Sequence, residues 1–268
     1  MYSGTTVGKR SGNLMGTHQR IDRIARKHLQ KIIKDDTVFP SIKHILSFEG
    51  DNGPDGVKRK SPSIDEPWHY IDPKKMHDVT LIDMIDDHIQ NLAVALKGRN
   101  ESRASFEAAW LAHAIVDGLT PAHHFPLADK IEELFGIPHH ERLTVKDKNI
   151  IKGTGRRDTL AKNWEYWGSG GVFSSHALFE FGVMTAMVGQ SYPSTITDDD
   201  LVDVSLRGYR AVFLEALESV FELDVFELFK TQGWNWRVAR IIHKQLIPTI
   251  NKAVVLGWYA AVLKSESE

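Results

Sequence analysis

The sequence predicts an all-α protein. Apolar residues recur at helical spacing through most of the chain, and period-two alternation over strand lengths is scarce. Two pairs of chemistry-bearing residues share that spacing. They are His113 with Asp117 in LAHAIVDGLTPAHH and His176 with Glu180 in SSHALFEFGV. Each is His-x3-acid, which puts both side chains on one helix face.

Residues 1–16 are rich in Gly, Ser, Thr and basic side chains and read as a loose N-terminal segment. Residues 17–268 read as one helical domain, with no long linker and no repeat period. Thr17 is a good N-cap for a first helix over HQRIDRIARKHLQKII, with Ile21, Ile24, Ala25, His28 and Ile32 on its apolar stripe. A Gly-, Pro- and Asp-rich loop is expected over residues 48–73. Helix resumes over MHDVTLIDMIDDHIQNLAVALKG and closes at Gly98. The next helix, residues 102–119, carries His113 and Asp117. Short helices follow at ADKIEELFG and RDTLAKNWEYW, then the His176 helix. Three more helical patterns fill DLVDVSLRGYRAVFLEALESVFE, WNWRVARIIHKQLIPTI and the C-terminus.

The 268 residues carry a net charge of -2 with neutral His, which excludes a global electrostatic footprint for nucleic acid. The absence of Cys excludes disulfides and thiolate metal sites. Any metal must be held by His, Asp and Glu, which favours Zn²⁺ or another first-row divalent ion. No apolar signal segment opens the chain and no charge-free apolar stretch suits a transmembrane helix, so a cytoplasmic location is the expectation. The run IPTINKAVVLGWYAAVL reads as a buried or amphipathic last helix.

Beyond the two pairs, candidate donors are His18, Asp55, His69 and His123. His124 competes with His123, and Asp51 with Asp55. Zn²⁺ takes about four ligands. Eight donors therefore suit two or three Zn²⁺ ions, with Asp117 bridging through its two oxygens. His28, His44, His77, His88, His139, His140 and His243 read as core or surface residues. The segment around Lys152, Arg156, Arg157, Trp164 and Trp167 has two readings. One is a solvated surface with the Trp side chains tucked into the core. The other is a contact surface for phosphate head groups or nucleic acid.

Four motifs in order carry a resemblance. THQRIDRIARKHL resembles the first-helix His motif of the zinc-dependent phospholipase C family. GPD followed by WHYIDP resembles its Asp and His ligand loop, HAIVDGLTPAHH its His-x3-Asp-x5-His core, and HALFE its His-x3-Glu helix. The family shares its helical fold with the single-strand-specific zinc nucleases, and the resemblance covers roughly residues 17–185. It implies a phosphodiester hydrolase. Asp55, His69, His113 and Asp117 would hold one zinc, His123, His176 and Glu180 a second, and His18 with Asp117 a third. The family completes its third site with the amine of an N-terminal Trp, whereas this chain begins Met-Tyr and has no Trp before Trp68. Glu180 matches the phospholipase branch, where the nucleases have Asp. Asp55 is implied as the base that orients the attacking water. A phospholipid head group is the implied substrate, with possible peripheral membrane contact; nucleic acid is the alternative. A helical metal-binding protein without turnover is the reading outside the enzyme class.

Overall fold

The computed structural model describes residues 1, 16–60, 68–75, 79–124, 127–137, 141–142, 150–168 and 170–267. The segment expected to be loose lies, at residues 2–15, outside the described residues. Every regular element is a helix, and no strand occurs among the described residues.

The helix α5 (Glu101–Gly118) lies at the centre and is buried on nearly every side. It is rich in small side chains, with Ala104, Ala108, Ala109, Ala112 and Ala114 all buried beside Leu111, Ile115 and Val116. A helix that is apolar all round belongs in a core. Its small surface lets neighbours come close: α1 (Thr17–Leu29), α4 (Thr80–Lys97) and α13 (Ile247–Ser267) all pack on it. At Gly257 of α13 an added Cβ would stand 2.7 Å from Ile115 Cδ1, so any larger residue would make that side chain shift. Trp258 is fully buried and donates its indole N–H to the Ala108 carbonyl at 2.8 Å.

Several expected elements differ in detail. Gly16 rather than Thr17 takes the N-cap position of α1, and no side chain caps it. α2 (Ile42–Ile45) was not expected, and the expected loop over 48–73 contains α3 (Pro54–Lys60). Pro54 begins α3 because its missing N–H costs nothing at a helix start. α6 (Leu127–Phe135) and α7 (Arg156–Trp167) form where expected and share a small satellite cluster of Leu134, Phe135, Ile151 and Tyr166. α8 (Val172–Met187) carries His176 and Glu180. The pattern read as one helix over residues 200–222 is two, α9 (Asp198–Arg207) and α10 (Tyr209–Glu222), broken at Gly208, whose φ of 79° ends a helix. α11 (Val225–Gln232) is an addition.

The last two expected helices are instead continuous. α12 (Trp236–Ile241) runs through a π turn (Ile242–Leu246) into α13. Pro248 has no N–H to give the preceding turn, and the widened π turn lies where that bond is missing. This stretch, Trp236–Ser267, is long and apolar enough to cross a membrane, and it is mostly buried in the core.

Candidate metal centre

The donors come from six places on the chain. His18 sits in the first turn of α1, Asp55 in the first turn of α3, and His69 in the extended segment beyond it. His113 and Asp117 lie one turn apart on α5. His123 ends the short 3₁₀ turn Pro121–His123, which Pro121 starts just past the end of α5. His176 and Glu180 lie one turn apart on α8.

Folding brings them into three groups, the first two sharing His113: His18, His113 and Asp117; Asp55, His69 and His113; and His123, His176 and Glu180. Asp117 is 1% exposed and its two oxygens face different neighbours. Oδ2 is 2.5 Å from His69 Nδ1 and 3.3 Å from His113 Nε2. Oδ1 is 3.4 Å from His18 Nε2 and 3.6 Å from His123 Nδ1. Asp55 Oδ1 stands 3.8 Å from His113 Nε2 and 3.9 Å from His69 Nδ1. Glu180 Oε1 is 2.8 Å from His176 Nε2 and 3.0 Å from His123 Nε2. Donors arranged tetrahedrally at 2.0–2.2 Å from zinc stand roughly 3.3–3.6 Å apart. Most of these separations are near that spacing.

Two atoms speak for an ion rather than for hydrogen bonds alone. His113 Nε2 and His123 Nδ1 are buried with no hydrogen-bond partner among the described residues. A buried polar nitrogen left unsatisfied is costly, and a metal is one way to satisfy it. The donor set, all imidazole and carboxylate, suits Zn²⁺.

The electrostatics follow from burial and crowding. Burial pushes His123 down to about 3, so its imidazole is neutral and fit to ligate. Burial disfavours the charged forms of Asp117 and Glu180 as well. The neighbouring Met1 amine and imidazoles outweigh it and hold both well below the usual carboxylate range. Asp55 is also shifted down, with burial opposed by His113 and His69.

Two contributors were not legible in the sequence. The Met1 ammonium is 2.5 Å from Asp117 Oδ1 and 3.3 Å from Glu180 Oε1, and His18 Nε2–H donates to the Met1 carbonyl at 2.7 Å. Burial works against that charge, but Asp117, Glu180 and Asp55 hold its pKa up at about 10. The second is Glu49, 1% exposed, whose Oε2 lies 3.5 Å from His113 Nδ1. A carboxylate there orients the ring so that Nε2 faces the donors. Asp22, also 1% exposed, is pushed well above the usual range by burial and by the nearby Glu49. Glu49 falls in no His-x3-acid pattern, so spacing alone could not select it; Asp22 stands four residues after His18, the one signal that could have found it.

The open alternatives now have positions. Asp55, not Asp51, joins a donor group, and His123 joins one while His124 does not. His124 Nε2–H instead donates to the Gly118 carbonyl at 2.8 Å, closing the C-terminus of α5. His124→Ala should therefore keep full metal content and lose about 1–3 kcal/mol of stability by orphaning that carbonyl. Elemental analysis and denaturant unfolding check this; loss of a metal equivalent would make His124 a ligand. Away from the centre, His44 pairs with Glu101, His88 with Glu107 and His243 with Tyr192. His28 is buried. His77, His139 and His140 lie outside the described residues.

Comparison with known proteins gives no match: no family model, curated protein or solved structure matches the chain.

Proposed function

We propose that this chain is a zinc-dependent hydrolase of phosphodiesters, with the fold and site of the phospholipase C family. The observation that carries the reading is Asp117, a buried carboxylate whose two oxygens face separate imidazole groups beside a third donor cluster. Asp55, His69, His113 and Asp117 would hold one zinc, and His123, His176 and Glu180 another. His18 and Asp117, with the Met1 carbonyl beside them, offer donors for a third.

Zinc bound there would neutralise phosphodiester oxygens and lower the pKa of water to about 7. The protein's own part is positional. Asp55 has 30% of its side chain exposed, against 2% for Asp117, so it is the carboxylate that reaches solvent. Ionised at neutral pH, it is placed to accept a proton from an attacking water and to align it. Glu49 holds the His113 ring from behind.

One observation favours the nuclease alternative. The Tyr70 ring lies 5.2 Å from that of His123, where a base could stack beside the donors. Glu180 and the near-neutral charge favour the phospholipase reading.

The test joins metal content to turnover. Purified protein should retain at least two zinc ions per chain after dialysis at neutral pH. It should hydrolyse a chromogenic phosphodiester or a phosphatidylcholine faster than a single-stranded oligonucleotide, at matched zinc, pH and salt, because polyanion binding weakens steeply with salt. Faster oligonucleotide cleavage across the salt range would transfer the assignment to the nucleases. Inactivity of the fully metallated protein would favour a metal centre without turnover, and metal content near zero would remove the reading.

A further inference from the structure

The aromatic residues of α7 are not in the core. Leu160, Trp164 and Trp167 are 72%, 67% and 42% exposed, which overturns the expectation that the Trp side chains are tucked inside. They recur at positions i, i+4 and i+7, so they form one stripe. Arg156 and Arg157 extend it at the N-terminal end; all five positions fall within roughly 100° around the helix. Both Arg side chains are exposed, and neither has an ion-pair partner among the described residues. The acids of α7 lie on the opposite side: Asp158 bonds to Thr154 and Glu165 meets Lys130. Tyr166 turns inward to the satellite cluster and anchors the helix. The stripe also runs up to the metal centre. Trp167 packs on Phe173 with ring centroids 4.7 Å apart, and Phe173 is three residues before His176 on α8.

We infer that the Arg156–Arg157–Leu160–Trp164–Trp167 stripe of α7 docks on an anionic lipid surface. Exposed Trp and Leu with Arg at one end of the same stripe, and acids on the far side, join an apolar contact to attraction for anionic head groups. Trp in particular settles at head-group depth. An aliphatic side chain as exposed as Leu160 gains on entering acyl chains and gains nothing from a polyanionic backbone, which sets lipid above nucleic acid. The two guanidinium groups supply attraction to anionic head groups within a Debye length, about 8 Å at physiological salt. Docking itself needs no turnover. That it would present lipid substrate to the adjacent centre rests on the hydrolase reading.

The experiment is sedimentation of the metallated protein with vesicles of phosphatidylcholine alone or mixed with phosphatidylserine. Wild type should bind the mixed vesicles, with Trp fluorescence shifted to the blue, and bind pure phosphatidylcholine more weakly. Trp164→Ala with Leu160→Ala should weaken binding at least tenfold. Arg156→Ala with Arg157→Ala should weaken it by about 25-fold at low salt, about fivefold per Arg, and flatten the salt dependence. All variants should keep wild-type zinc content and equal turnover, if any, of a soluble chromogenic phosphodiester, so a failed hydrolase assignment leaves the docking result readable. No binding by wild type, or binding unchanged by both double variants, would overturn the inference. So would self-association or oligonucleotide binding that the same substitutions abolish in the absence of vesicle binding.

Discussion

Asp117→Asn should release more than one metal equivalent per chain and lower phosphodiester hydrolysis by more than about 100-fold. The loss should exceed the 10–100-fold typical of removing only an outer-shell partner. The reason is the division of labour between its oxygens. Oδ2 faces His69 and His113, while Oδ1 faces His18, His123 and the Met1 amine. An amide keeps the shape but offers one weak neutral oxygen in place of two charged ones. It also leaves the buried Met1 ammonium without its nearest counter-charge. Circular dichroism should show that the variant keeps its helices, so that metal loss is read on folded protein. His44→Ala, which removes a surface partner of Glu101, is the control and should retain metal and activity. Equal metal content in the two variants would refute the bridging role.

Chelation should lower the melting temperature by about 10 °C, and added zinc should restore it. The donors belong to α1, α3, the His69 segment, α5, the His123 turn and α8, which are brought together only in the native state. Metal binding free energy is therefore part of folding free energy. A ligand present at 1,000 times its Kd stabilises by about 4 kcal/mol, and each kcal/mol shifts melting by roughly 2–4 °C in a chain of about this size. Without the ion, carboxylates and imidazoles crowd one another in a buried space. His113 is then driven well above its usual range, because Asp117 and Glu49 outweigh the effect of its burial. Scanning calorimetry with and without chelator measures the effect. A curve indifferent to chelator, with the metal shown to be gone, would contradict it.

Helical periodicity by itself determined the class of this protein and the face-sharing of two donor pairs. His113 with Asp117, and His176 with Glu180, are neighbours because a helix turns once in 3.6 residues. That relation needs nothing beyond the local chain. The helix break at Gly208 and the helix start at Pro54 were less legible, since a glycine is tolerated inside a helical pattern and a proline is common in loops. Tertiary structure alone decided which distant groups meet. His18, Asp55 and His69 reach the centre because α1 packs on the Ala-rich surface of α5 and because α3 and the segment after it carry Asp55 and His69 there. It also separated His123 from His124, identical residues side by side. One ring faces the donors and the other closes a helix end. Glu49 and the Met1 amine were invisible for the same reason: their roles depend on position in space, and neither carries a periodic signature. The Trp stripe of α7 shows the converse. Its spacing is plain in the sequence, but spacing does not say whether a stripe faces the core or the solvent. The inward face of α7 was taken by Tyr166, and the packing of that ring left Trp164 and Trp167 outside.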